Sequence, residues 1–220
     1  MSNSPSLYLT LNTAIAPYGL GVVRVEAGTL TLLQEHRFQA DRLEHSDLLV
    51  HLESVLAAAG ATLADVAKIG VTTGPGGYTG LRLGATVANM LALVQGIPVV
   101  GCDTLAALAQ TLADDTLIFA VAPGRKNEIC AAVFGSQNGK KTRQTPTFIW
   151  PIETALEKIA AIKTPVTVVG GFPAGVADRF LALSGPRVVT TAVSALALAE
   201  LAQPEAGSGQ VRPVYAYQAV

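Results

Sequence analysis

The sequence predicts an α/β protein with two lobes. Short runs of alternating or β-branched apolar residues, typical of strands, are interspersed with longer segments in which apolar residues recur every three or four positions, as in helices. Three successive strand-like runs followed by a helix and a strand occur twice, once in each half of the chain. A length of 220 residues is enough for two small lobes with buried cores.

The first half is predicted to begin with three antiparallel strands, because its strand-like runs are joined by short turns. The next segment is a helix with Leu48, Leu52 and Val55 on one stripe, and Gly60 is placed to end it. The predicted elements are strands 7–11, 18–25 and 29–38, helix 44–59, strand 68–73, helix 80–95 and strand 98–101.

The second half repeats this order after a helix at 103–113, for which Asp103 or Thr104 is the N-cap. Its predicted elements are strands 116–121, 128–134 and 141–149, helix 154–162, strand 166–169, helix 175–183, strand 188–190, helix 193–202 and an extended segment 211–217. The duplicated β-β-β-α-β-α unit suggests the two-lobed actin/sugar-kinase-like (ribonuclease H-like) class of folds. We expect a first lobe of residues 1–102 and a smaller second lobe of residues 103–220.

A glycine-rich turn between strand 68–73 and helix 80–95 is the most informative local feature. A strand, a glycine turn and a helix can present unpaired backbone N–H groups to an anion. The residues that would bind a phosphate or another anion are Gly74, Gly76, Gly77, Thr79 and Arg82. The turn lacks the Lys-Ser/Thr ending of a P-loop and the spacing of a dinucleotide-binding loop. A tight strand-to-helix turn without a ligand is therefore the alternative, and Arg82 is either near a carboxylate or phosphate or simply solvated.

Helix 80–95 is apolar around almost its whole circumference, which is typical of a helix buried in its own chain or against a partner. Gly80, Gly84, Ala88 and Ala92 are spaced by four and form one row of small residues. Such a row lets another helix approach closely, so it favours a protein–protein contact. Packing within the lobe is the alternative.

Residues that would support independent chemistry are scarce. Cys102 and Cys130 fit neither a disulfide framework nor a metal-ligand spacing, and His45 and His51 point in different directions from one helix. We therefore predict no catalytic residue and no metal site. A net charge of −1 argues against direct nucleic-acid binding. The absence of a signal-like start and of a membrane-length apolar run predicts a cytoplasmic protein that does not enter membranes.

Several stretches resemble one family. The run from Gly74 to Gly84, Gly-Pro-Gly-Gly-Tyr-Thr-Gly-Leu-Arg-Leu-Gly, is similar to the Gly-Pro-Gly-Ser-Phe-Thr-Gly-Leu-Arg-Ile-Gly signature of the TsaB (YeaZ) family. Similar matches are Leu9-Thr-Leu-Asn-Thr-Ala14, Glu44-His-Ser46, Ile97-Pro-Val-Val-Gly101 with the Leu-Ala-Ala-Leu-Ala that follows Thr104, Arg125 with Glu128, and Arg212-Pro-Val-Tyr215. The resemblance is strong over residues 7–110 and thin afterwards.

This resemblance implies an actin-like fold and a non-catalytic subunit of the bacterial machinery that makes threonylcarbamoyladenosine beside the anticodon of tRNA. It implies pairing with the catalytic relative TsaD, joined by the ATPase TsaE, with tRNA reached indirectly through the complex and a homodimer when the subunit is alone. The chain needs no cofactor of its own, and ATP or ADP is expected only near the subunit junction. The pairing surface is expected on helices 44–59 and 80–95, at Leu48, Leu49, Leu52, Gly80, Leu81, Gly84, Val87, Ala88, Leu91 and Ala92.

Departures from the family pattern bear on chemistry. Asn12 stands where the family has Asp, Gly77 where it has Ser, and Pro123-Gly124 where it has Asp-Ala. Each substitution weakens the case for phosphoryl transfer and leaves a scaffold role intact. Two alternatives stay open: a peptidase, an activity once attached to this superfamily, and a degenerate small-molecule kinase of the same fold.

Overall fold

Two β-sheets organise the chain, and each sheet is built by the same order of elements. The structure is a computed structural model that describes residues 5–39, 45–113, 115–137, 140–172 and 175–217. The first lobe contains β1 (Ser6–Asn12), β2 (Tyr18–Glu26), β3 (Thr29–Phe38), α1 (His45–Ala58), β4 (Val66–Gly74), α2 (Tyr78–Gln95) and β5 (Val99–Asp103). These bounds agree with the predicted elements to within a few residues, except that Glu44, the predicted helix start, lies outside the described residues.

The second lobe follows α3 (Thr104–Gln110), whose N-cap Asp103 accepts a hydrogen bond from the Ala106 N–H at 2.8 Å. Its elements are β6 (Leu117–Pro123), β7 (Glu128–Gln137), β8 (Lys140–Arg143), β9 (Phe148–Pro151), α4 (Ile152–Ala160), β10 (Val166–Gly170), α5 (Ala177–Leu181), β11 (Arg187–Thr190) and α6 (Ala195–Ala202). The predicted strand 141–149 is wrong as a single element. It is divided into β8 and β9, because Pro146 lies between them and has no N–H to donate to β7.

The two sheets have the same strand order, β3-β2-β1-β4-β5 in the first lobe and β8-β7-β6-β10-β11 in the second. In both orders, the first three strands pair antiparallel and the next two parallel. The second sheet has a sixth strand, β9, which pairs antiparallel with β7. This repetition confirms the predicted two-lobed fold class with a duplicated β-β-β-α-β-α unit. The predicted division at residues 102 and 103 stays a prediction, although the two sheets lie on either side of it.

Alternation along the strands divides the buried residues between the faces of the first sheet. Leu9 and Leu11 of β1 belong to the core that the sheet shares with α1 and α2. Tyr8 of the same strand packs instead with Ala195 and Ala199 of α6. Helices α3 and α6 lie between the two sheets, where their side chains form a common core with residues of both lobes.

The segment 211–217, predicted to be extended, forms no helix or strand and runs back along the first lobe. Val211 packs into the core beneath α2, and its main chain is held by Asn89 in both directions. Asn89 Nδ2 donates to the Val211 carbonyl at 2.9 Å, and the Val211 N–H donates to Asn89 Oδ1 at 2.8 Å. The first lobe is therefore completed by residues from late in the chain.

Candidate functional site

The glycine turn lies between the end of β4 and the start of α2, and it packs against the residues that follow β1. The Gly77 N–H donates to the Ala14 carbonyl at 2.7 Å. A Cβ atom on Gly76 would lie 2.4 Å from that same oxygen, so only glycine fits there. The glycines at this turn are thus explained by close contact with the chain itself.

The five residues predicted to bind an anion have different environments. Gly74 is buried with a φ of 136°, and a Cβ atom on it would lie 2.1 Å from the Val214 carbonyl oxygen, so the segment 211–217 already fills that position. Gly76 is half-buried, whereas Gly77, Thr79 and Arg82 are exposed. An anion site on these residues stays a prediction.

Arg82 has a partner within its own helix. Its Nη1 atom donates to the Tyr78 hydroxyl at 2.6 Å, and its guanidinium carbon lies 5.2 Å from the centre of the Tyr78 ring. The Tyr78 ring in turn stacks on Tyr215, with centroids 5.3 Å apart. The guanidinium is therefore positioned by aromatic contacts at the surface.

Asn12, which replaces the family's aspartate, holds the loop after β1. Its Nδ2 atom donates to the carbonyl oxygens of Ile15 and Pro17 at 3.0 and 3.2 Å. A carboxylate at this position could accept hydrogen bonds but could not donate to these two carbonyls. The amide therefore serves the local structure of the loop.

The two cysteines are buried and protonated. Burial raises the pKa of the Cys102 thiol to about 12 and that of the Cys130 thiol to about 11. A nucleophilic cysteine needs a lowered pKa instead. Within the described ranges, three or more His, Cys, Asp or Glu side chains do not come together as a group that could hold a metal ion.

One contact that the sequence did not predict joins β3 to α1. The Nε2 atom of His36 lies 3.1 Å from Nδ1 of His51, and the Phe38 ring stacks on both imidazoles. His51 is thus paired across the two elements. Sequence spacing could show that His45 and His51 diverge, but it carried no signal for the contact between His51 and His36.

The ten residues predicted to contact a partner are largely enclosed by the chain itself, and their part in an interface stays a prediction. Nine of them are buried within the isolated chain and Leu49 is half-buried, so they do not form an exposed surface. The physical reason is clearest at Gly80 and Gly84, where an added Cβ atom would lie 2.0 Å from the Thr13 carbonyl oxygen and 2.1 Å from Thr13 Oγ1. Part of the small-residue row thus accommodates the chain's own loop after β1.

A different set of residues on the same two helices is exposed and apolar. Met90, Leu93 and Val94 of α2 are exposed by 43%, 80% and 72%, and their spacing places them on one stripe. We call these three residues the outer stripe of α2. Val50 of α1 is exposed by 65%, on the other helix that covers this side of the first sheet. The all-round apolarity of α2 was the sequence signal for this surface.

Comparison with known proteins agrees with this architecture. A family model described as "TsaD: tRNA N6-adenosine threonylcarbamoyltransferase" matches residues 39–163, more than half of the chain. The tRNA threonylcarbamoyladenosine biosynthesis protein TsaB of Bacillus subtilis is 31% identical over 107 residues, which cover 48% of this chain and 47% of that protein. The chain belongs to the TsaB (YeaZ) family. Its membership confirms the resemblance predicted from the sequence.

Two further similarities define how much of the chain is matched. An uncharacterized protein of Mycobacterium bovis is 34% identical over 125 residues, which are 56% of this chain and 57% of that protein. The match therefore spans little more than half of the relative's length. A crystal structure of an uncharacterized Pseudomonas aeruginosa protein "with similarity to peptidase YEAZ" is 25% identical, with a TM-score of 0.75 over 96% of this chain and 99% of that one. Among the described residues, no helix is long and apolar enough to cross a membrane.

Proposed function

We propose that this chain is a non-catalytic scaffold that binds and activates TsaD, together with the ATPase TsaE, for threonylcarbamoyl transfer to the adenosine beside the tRNA anticodon. Family membership supports a role in tRNA modification, and tRNA modification supports a cytoplasmic location. The net charge of −1 supports the view that tRNA is held by another subunit. Alone, the chain forms a homodimer that exchanges into the complex with TsaD.

The exposed outer stripe of α2 is the observation that carries this proposal. Leu93 and Val94 are more than two-thirds exposed, and they adjoin Met90 on the same helix. Covering a large aliphatic side chain contributes about 1.5–3 kcal/mol. A partner that covers Met90, Leu93, Val94 and Val50 of α1 would gain a favourable apolar contribution that offsets the cost of association. The predicted interface thus moves from the buried to the exposed residues of α1 and α2.

The positions that would carry chemistry are engaged in structural contacts, which supports a non-catalytic role. The Asn12 amide holds a loop, and the protonated cysteines are buried. Glu128 accepts a hydrogen bond from the Tyr217 hydroxyl at 2.6 Å. That the chain needs no cofactor of its own, and that ATP or ADP binds near the subunit junction, stay predictions.

The test is light scattering coupled to size exclusion, with the chain alone and then mixed with TsaD from the same organism. The variant with Leu93→Asp and Val94→Asp should fold normally, because both side chains are exposed in the monomer. It should bind TsaD about 100-fold more weakly or worse, since two aliphatic contacts of about 1.5–3 kcal/mol each are lost. Leu181→Asp is the matched control, because Leu181 is a 54% exposed apolar residue on the second lobe.

Three results would contradict the proposal. The wild-type chain could fail to bind TsaD, or the double variant could bind as tightly as the Leu181→Asp control. Alternatively, the pure chain could cleave peptides or release phosphate from ATP, with loss of that activity on Asn12→Ala. The last result would revive the peptidase or kinase alternative. The first would remove the scaffold role, and the second would remove the outer stripe of α2 as its interface.

A further inference from the structure

A cavity of about 470 Å³ lies between the two lobes, and part of its wall is the segment 211–217. Its first side is the glycine turn with Tyr78 and Leu81 of the first lobe, and its second side is the turn between β6 and β7 with Arg125 and Cys130 of the second lobe. Residues 214–217 line the cavity between these sides. The segment therefore spans from one lobe to the other across the cavity.

The segment is fixed to the first lobe at two places. Asn89 holds the Val211 main chain by two hydrogen bonds. Three residues later, the Val214 N–H donates to the Thr73 carbonyl at 2.6 Å, where β4 ends. Both attachments are made through the main chain of the segment.

At the second lobe, the segment is held by the hydroxyl of Tyr217. This oxygen accepts a hydrogen bond from the Arg125 N–H at 2.8 Å and donates one to Glu128 Oε2 at 2.6 Å. The Arg125 guanidinium carbon lies 4.1 Å from the centre of the Tyr217 ring. The Tyr217 hydroxyl thus binds the β6–β7 turn both as an acceptor and as a donor, and the Tyr217 ring contacts the same turn.

Between the two attachments, the segment is lightly held. Val214 is exposed by 63% and Tyr215 by 43%, and the Tyr215 ring stacks on the exposed Tyr78. Little apolar burial fixes this stretch, so hydrogen bonds at its ends carry most of the restraint. Release of either end would widen the cavity.

We propose that residues 211–217 form a strap that joins the two lobes across the cavity between them, with Tyr217 as its releasable latch. The strap acts as one unit, so loss of the latch on the second lobe loosens the attachment at Thr73 on the first. Release of Tyr217 from Arg125 and Glu128 frees the part of the cavity wall that residues 214–217 form, and so widens the cavity for a ligand or partner segment.

Amide hydrogen exchange of the full chain tests this proposal, because the Val214 and Arg125 N–H groups report the two ends of the strap. Tyr217→Phe keeps the ring and removes only the hydroxyl. It should speed exchange at Val214 about tenfold, since a hydrogen bond to a charged carboxylate is lost. Tyr215→Phe is the matched control two residues away and should leave exchange at Val214 unchanged.

A variant at the other end of the segment distinguishes a strap that acts as one unit from two attachments that open independently. Asn89→Ala removes both hydrogen bonds to Val211. It should speed exchange of the Arg125 N–H, although Asn89 is on the first lobe and Arg125 on the second. Faster exchange at the distant end in both variants supports the strap. The proposal is overturned if Tyr217→Phe leaves Val214 unchanged, or if Asn89→Ala changes only the amides near Val211.

Discussion

Gly84 of α2 lies directly over Thr13, and this contact gives a test of how α2 packs on the first sheet. A Cβ atom on residue 84 would lie 2.1 Å from Thr13 Oγ1, whereas real Cβ contacts below 3.0 Å essentially never occur. Both residues are buried, so neither can move into solvent. Gly84→Ala should therefore destabilise the protein, although alanine is the better helix former.

Two opposing effects set the magnitude. Alanine is favoured over glycine in a helix interior by about 1 kcal/mol. Overpacking a buried site costs about 1–3 kcal/mol. A contact as short as 2.1 Å puts this cost in the upper half of that range, so the net expectation is a loss of about 1–2 kcal/mol of unfolding free energy. Thr13 Oγ1 is buried and has no hydrogen-bond partner among the described residues, so Thr13→Ala removes the clashing atom without breaking a hydrogen bond.

In the Thr13→Ala background, Gly84→Ala should become neutral or stabilising by up to about 1 kcal/mol. Gly80→Ala should not be rescued, because its added Cβ atom would lie 2.0 Å from the main-chain oxygen of Thr13, which the substitution leaves in place. Gly77→Ala should cost little, since its nearest neighbour is 3.6 Å away.

Urea unfolding followed by far-ultraviolet circular dichroism measures these differences, provided that the dependence on urea concentration is the same in all variants. The reasoning is refuted if Gly84→Ala is equally destabilising with and without Thr13→Ala. It is also refuted if Gly84→Ala leaves the stability of the monomer unchanged. The second outcome would place Gly84 on a surface available to a partner.

Three further predictions concern the core and the lobe contacts. Lys68→Met should lower the unfolding free energy by about 1–3 kcal/mol, because Lys68 Nζ donates to three main-chain carbonyls at and beyond the end of α6. Urea unfolding measures this loss, and Lys126→Met, on an exposed turn, is the control. Cys102 and Cys130 should react slowly with iodoacetamide at about pH 8 and quickly in urea. Because their folded-state pKa values are raised, the contribution of these two thiols to the unfolding free energy should be constant below about pH 9 and fall as the pH rises towards 11–12. Ala88→Arg should yield unfolded or insoluble protein by circular dichroism and light scattering, because residue 88 is completely buried; a folded variant would contradict this packing.

Most of the elements could be predicted from the sequence, because strands and helices leave local patterns. Strand β3 was predicted with its observed bounds, and Asp103, one of the two residues predicted as the N-cap of α3, is the N-cap. The break between β8 and β9 was missed although Pro146 marks it. Residues 141–149 are mostly polar, but four of the nine are β-branched, which favoured a single strand in spite of the N–H that Pro146 lacks.

The candidate surface could be predicted only in part. The sequence showed that α2 is apolar on nearly every side, but apolarity alone does not say which side faces the lobe's own sheet. Small residues suggested a contact with a partner, whereas Gly84 instead fits Thr13, 71 positions earlier in the sequence. The hydrogen bond between Tyr217 and Glu128 could not be predicted for a similar reason, since the two residues are 89 positions apart in the sequence.

The placement of α6 and Val211 has a consequence for biosynthesis. Both pack on the first sheet, one on the face opposite α1 and α2 and the other in the core beneath α2. A nascent chain that has left the ribosome only as far as β5 therefore exposes one whole apolar face of its first sheet. The first lobe cannot reach its final packing until residues 195–211 have been translated, so protection of the early strands must come from a chaperone or from delay. Separate production of the two lobes from consecutive gene fragments should accordingly give an aggregating first fragment.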